Sequence, residues 1–169
     1  SLLFLGRPSL YSWVSPFAAA FGYAALWLSI SQETTFKRRL FLGWGYFFVF
    51  VLLATIWLIS HPFLYIYFTW VFLAALFSFP FSLLSAFCLR KPLTPLSILG
   101  FSLAFSFLEY SFTLLPCGFP FLSSALYFSW SSSSLILASV LGEIGLSFLV
   151  FATNLFAYHS LKNKRFTPL

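Results

Sequence analysis

The sequence predicts an all-α, polytopic integral membrane helical bundle of about five full spans, plus the tail of a truncated first helix. Apolar runs of about 20 residues recur along it, each long enough to cross roughly 30 Å of hydrocarbon as a helix. The 169 residues are 61% hydrophobic, 24% aromatic and only 7% charged, which leaves too few charges to coat a soluble core. The alternating strands of a membrane barrel are missing, so helices, which satisfy their own backbone polar groups, are the form that lipid permits. Residues 1–169 read as a single transmembrane helical domain.

Taken in order, residues 2–5 read as the tail of an apolar helix whose beginning is missing. The chain opens on Ser1 and contains no Met, so it reads as a fragment. The pattern of a signal peptide is not visible. Gly6-Arg7-Pro8-Ser9 forms a polar break. The first full span, 11–30, has Pro16 near its start, where a missing N–H costs little. Its small residues Ala18, Ala19, Ala20, Gly22, Ala24 and Ala25 let a neighbouring helix approach closely. The second span, 41–60, carries Gly43 and Gly45 early and Trp57 late, where an indole suits the membrane interface. His61-Pro62 is expected to make a tight helical hairpin into a third span, 63–89, long enough to tilt and kinked at Pro80. A fourth span, 96–115, contains Glu109. Residues 116–134 form an outer interfacial segment rich in aromatics and serine, and 135–158 is the fifth span.

The net charge of +6 is a topology signal rather than a nucleic-acid footprint. Eight of the nine Lys and Arg residues fall at 37–39, 90–91 and 162–165. Two spans separate each neighbouring pair of clusters, so all three lie on one face, which the positive-inside bias makes cytoplasmic. His61-Pro62 and 116–134 are then outside. Arg7 is outside too, in keeping with a helix before it.

Chemistry-bearing residues are few. A carboxylate at membrane depth, such as Glu109, costs several kcal/mol and often marks function. The plainer reading, a structural carboxyl hydrogen-bonded to a neighbour's Ser or Thr, is favoured for it and for Glu143, around which the Gly142/Gly145 spacing permits close packing. Cys117 has no base or cation in reach to make a thiolate and reads as an inert thiol; Cys88 is a weaker candidate still, and the two, at opposite faces, are not expected to form a disulfide. His61 reads as a turn residue. Phosphate loops, metal clusters and Ser/His/Asp sets are absent from the sequence, so neither a cofactor nor a metal is expected.

From Glu109 onward the chain resembles the membrane portion of bacterial apolipoprotein N-acyltransferases. Glu109 and Tyr110 are followed by the corner Gly118, Phe119, Pro120, Phe121 and Leu122, then by Gly142, Gly145, Leu146, Ser147, Phe148 and Asn154. Looser matches run upstream through Ser15-Pro16-Phe17, the 37–39 cluster, Gly43/Gly45 and Trp57. The sequence departs from the family at Phe112, commonly Arg, and at Phe121, commonly Trp.

The resemblance implies a helical bundle in the bacterial inner membrane. It also implies transfer of an acyl chain from a phospholipid to the amino group of an S-diacylglyceryl cysteine at a lipoprotein N-terminus. The Glu-Lys-Cys triad of that reaction belongs to a downstream nitrilase-like domain, so no residue here is catalytic. Implied partners are the phospholipid acyl donor, the lipoprotein N-terminus and membrane lipids. Trp57, Glu109, Gly118, Phe119, Pro120 and Phe121, all expected at the outer face, are candidates to shape a lipid entrance. Gly142, Gly145 and Asn154 are candidates for helix packing. A non-catalytic remnant or accessory subunit, and a small transporter, remain open as alternatives.

Overall fold

A computed structural model describes residues 12–60, 62–90, 92–114, 123–128 and 132–166, and among them every regular element is helical. A 3-10 turn, Ser12–Val14, leads into α1 (Ser15–Ile30). Then come α2 (Phe36–Ala54), a 3-10 turn at Ile56–Ser60, α3 (Tyr65–Cys88), α4 (Pro95–Thr113), a 3-10 turn at Ser124–Phe128 and α5 (Ser132–Phe166).

Local chemistry sets the ends. The Thr35 side chain caps α2 by accepting from the Arg38 N–H. Thr94 and Ser97 form a reciprocal capping box around Pro95 at the start of α4. At the close of α2 the Thr55 hydroxyl donates to the Val51 carbonyl at 2.7 Å and regular helix stops.

Five full spans exceed what these helices show. Three are long and apolar enough to cross a membrane: Tyr65–Cys88, Pro95–Thr113 and Ile136–Asn163 within α5. The 16 residues of α1 rise only about 24 Å, short of the roughly 30 Å of a hydrocarbon core. The 19 residues of α2 open on Phe-Lys-Arg-Arg, so their first turn is charged. The tight hairpin at His61-Pro62 is also corrected. α2 ends at Ala54 and α3 starts at Tyr65, with Trp57 on the turn between them rather than within a span. Pro80 sits within α3, but the non-helical backbone inside a described helix is at Gly142.

In lipid, helices associate through close packing and polar contacts rather than hydrophobic expulsion. The antiparallel pair α2–α3 shows both. The Ser82 hydroxyl donates to the Leu40 carbonyl, and Trp44 Nε1 to the Ala75 carbonyl at 3.3 Å. Trp70 Nε1 donates to Thr55 Oγ1 at 3.0 Å, and Arg39 Nη1 to the Leu89 carbonyl at 2.6 Å. Gly43 lies at a close approach of the two helices, since a Cβ there would lie 2.9 Å from Ser82 Oγ. The Arg39 contact, with Arg90 lying 5.9 Å over the Phe36 ring, gathers the first two basic clusters at one end of the pair.

The core between helices is aromatic. Tyr23 and Trp27 of α1 meet Phe47 of α2, Phe105 of α4 and Phe151 of α5, with ring centroids 4.9–6.4 Å apart. Asn154, wholly buried on α5, ties that helix to α1. Its Oδ1 accepts from the backbone N–H of Tyr23 at 2.9 Å and of Ala24 at 3.0 Å, while its Nδ2 donates to the Ala19 carbonyl.

Three substitutions test this packing. Gly43→Ala should lower the free energy of unfolding in detergent by about 1–3 kcal/mol, because Ser82 must leave its carbonyl. Gly45→Ala, with nothing within 4 Å of the new Cβ, should leave stability unchanged or raise it by up to about 1 kcal/mol. Asn154→Ala should cost about 1–2 kcal/mol in the same titration.

Candidate functional site

Glu109 stands one turn before the end of α4 and is 4% exposed. A carboxylate removed from water needs donors on all sides. Here they come from two other elements. The Ser124 backbone N–H is shared between the two carboxylate oxygens at 3.1 and 3.0 Å, and the Ser124 hydroxyl donates to Oε1. From α5, the Ser147 hydroxyl donates to Oε2 at 2.6 Å. Because the Ser124 hydroxyl gives its proton to Glu109, the Tyr23 hydroxyl, 2.8 Å from Ser124 Oγ, is the donor in that contact. Four elements therefore converge on one carboxyl: α1 through Tyr23, α4, the 124–128 turn and α5.

No Lys or Arg pairs with Glu109 among the described residues. Phe112, one turn further along α4, is buried against Phe77 at 4.8 Å and Phe81 at 5.9 Å. An Arg at that position would face an aromatic slot. Serine and backbone donors hold the carboxyl in place of a cation. Charge-assisted bonds of this type are about twice as strong as neutral ones, and losing one partner strands the rest without water.

The other sequence candidates lie elsewhere. Trp57 is 46% exposed on the turn after α2, which packs on α2 and α3 and so away from the carboxyl's partners. Gly118, Phe119, Pro120 and Phe121 fall outside the described residues, as do His61 and Cys117. Cys88 is a buried free thiol at the basic end of α3. Among the described residues no group of three or more His, Cys, Asp or Glu could hold a metal.

Gly142 and Gly145 do not pack helices together. Gly142 has φ 66° and ψ −179°, a conformation essentially confined to glycine, and it breaks α5 rather than admitting a neighbour. Across that break Leu141 folds over residue 145, where a Cβ would come within 2.8 Å of Leu141 Cβ. Glu143 is exposed in the first turn after the break, where an acidic side chain complements the helix dipole. The break also sets the start of the segment that presents Ser147 and, two turns on, Asn154.

Sequence reasoning singled out Glu109 but not Ser124 or Tyr23. Ser147 and Asn154, seven residues apart, share a helical face, and that spacing was the available signal. Nothing distinguishes Ser124 from the other serines around it.

A double-mutant cycle tests the network. Ser147→Ala should cost about 1–3 kcal/mol of unfolding free energy, because it removes one donor from the buried carboxyl. Glu109→Ala should cost at least as much, and the pair should be non-additive by about 0.5–3 kcal/mol. Gly142→Ala should destabilise by about 1–3 kcal/mol although its site is open to the surroundings.

The family model of the apolipoprotein N-acyltransferase N-terminal domain matches residues 1–156. No curated protein and no solved structure matches the chain. Three apolar helices of spanning length, and a match covering most of the sequence, lead to one statement: this membrane protein belongs to the apolipoprotein N-acyltransferase N-terminal domain family.

Proposed function

We propose that these helices are the membrane-embedded scaffold and lipid-access region of an apolipoprotein N-acyltransferase. The reaction moves an acyl chain from a phospholipid ester to an enzyme thiol as a thioester. It then passes the chain to the amino group of a lipoprotein's diacylglyceryl cysteine, forming an amide. The thiol and its Glu and Lys partners belong to a nitrilase-like domain outside residues 1–169. Cys88, buried among apolar side chains, is not that nucleophile.

The observation that carries the reading is the Glu109 anchor. It fixes the 124–128 turn against α1, α4 and α5, and that turn follows directly on the 118–122 corner by which the chain resembles the family. A fixed rim at the outer surface would hold a phospholipid ester in one orientation for the reacting thiol, and orientation alone can lower a barrier by several kcal/mol. Glu109 acts here as a positioning residue, while exposed Trp57 offers an indole to interfacial lipid. In this arrangement the basic clusters at 37–39, 90–91 and 162–165 face the cytoplasm of a bacterial inner membrane.

The test is acyl transfer to a diacylglyceryl lipopeptide, read by mass spectrometry, in the acyltransferase that carries these helices. Glu109→Ala should lower kcat/KM by about 10-fold, equivalent to about 1.4 kcal/mol of barrier. Trp57→Ala should raise KM for the phospholipid, and Ser139→Ala, exposed on α5, should change neither. Wild-type transfer by both Glu109→Ala and Trp57→Ala would overturn the proposal. For orientation, a membrane-impermeant maleimide should label Arg38→Cys only after the cells are opened.

A further inference from the structure

α3 and α4 touch far less extensively than α2 and α3 do, and the gap between them is open. Toward the basic end it widens into a cleft of about 630 Å³ bordered by Phe87, Cys88, Arg90, Leu93, Thr94 and Ser97. Deeper, a second cleft of about 440 Å³ lies between Pro80, Leu84 and Phe87 on α3 and Ala104, Phe107 and Ser111 on α4. Phe87 borders both, so the two meet at its ring.

The two parts differ in chemistry. The upper one is rimmed by the exposed Arg90 guanidinium, which is steadied over the Phe36 ring at 5.9 Å, with the ring of Phe36 in turn 5.2 Å from Phe87. Lys37, Arg38 and Arg39 stand at the same end of the bundle, and the acidic residue there, Glu33, lies 3.8 Å from Arg38. The lower part is apolar except for Ser111, whose hydroxyl is turned to the Leu108 carbonyl. From Cys88 back to Pro80 is eight residues of α3, about 12 Å of helix, against a hydrocarbon core of roughly 30 Å. On α4 the lining runs from Ser97 to Ser111, about 21 Å, so the groove opens at the basic end and reaches to mid-membrane depth, cationic at its mouth and oily below.

We propose that the α3–α4 groove binds one anionic phospholipid from the leaflet on the basic side. Its phosphate sits against Arg90 and one acyl chain lies along Leu84, Ala104 and Phe107. This site is separate from the Glu109 network and from acyl transfer. It does not depend on the family reading.

Native mass spectrometry of the chain in detergent, titrated with phosphatidylglycerol or phosphatidylcholine, tests it. Phosphatidylglycerol should bind at least about five-fold more tightly, the effect of one well-placed cation near an anionic lipid. Arg90→Gln should abolish that preference, whereas Arg38→Gln, off the cleft, should keep it. Leu84→Trp, which fills the lower groove, should weaken both lipids together. A benzophenone side chain placed at position 107 should cross-link to lipid. Equal binding of the two lipids by the unmodified chain, a preference that survives Arg90→Gln, or cross-linking at 107 to a second polypeptide would each overturn the proposal.

Discussion

In hydrocarbon a polar group has no water to fall back on, and this bundle is arranged around meeting that requirement from within. The Glu109 carboxyl, the Asn154 carboxamide and the Tyr23 hydroxyl all find their partners on other elements. Among the described residues no buried side-chain nitrogen or oxygen is left without one. Each such contact fixes the depth and rotation of two elements at once, because a slip of one residue would strand a donor at a cost of several kcal/mol. Aromatic stacking among Tyr23, Trp27, Phe81, Phe105 and Phe151 fills the space but tolerates small shifts. The polar contacts specify the arrangement.

The two halves of the bundle use different means. Between α2 and α3 the polar contacts are single donors, from Arg39, Trp44 and Ser82 to main-chain carbonyls and from Trp70 to the Thr55 hydroxyl, and they run along the seam that includes Gly43. Between α1, α4 and α5 they converge on two side chains, Glu109 and Asn154. The first half is a two-helix unit with its own registration. The second is assembled around shared points, and it holds the 124–128 turn that extends toward the family's corner motif.

What the sequence revealed follows the same division. Long apolar runs announce helices, and a lone carboxylate within one stands out, so α3, α4, α5 and Glu109 were legible. The shortness of α1 was not, because residues 12–14 continue the apolar run but wind as a 3-10 turn before the helix. Nor was the end of α2 legible, since Thr55 stops it through a local hydroxyl contact that an apolar window smooths over. Glycine spacing was ambiguous in a physical sense. Gly43 serves close approach, whereas Gly142 serves a left-handed φ, and the letter is the same for both. The donors to Glu109 stayed hidden because contact across 15 and 38 residues depends on which of many serines the fold brings round.

The Asn154 contact also orders events in time. The α2–α3 pair is closed by residues at most 50 apart in sequence, so it can form soon after α3 leaves the ribosome. Tyr23 and Ala24 bond to a side chain 131 and 130 residues later. At about 5–20 residues per second of synthesis, α1 waits roughly 7 to 26 s for that partner. During this interval a 16-residue helix, short for the bilayer and lined with small residues, sits in the membrane without the carboxamide that later secures it. Made before the other described helices, α1 is thus among the last of them to be locked. Trp27 Nε1 can reach Ser85 Oγ earlier, but the polar closure of α1 is completed only when α5 arrives.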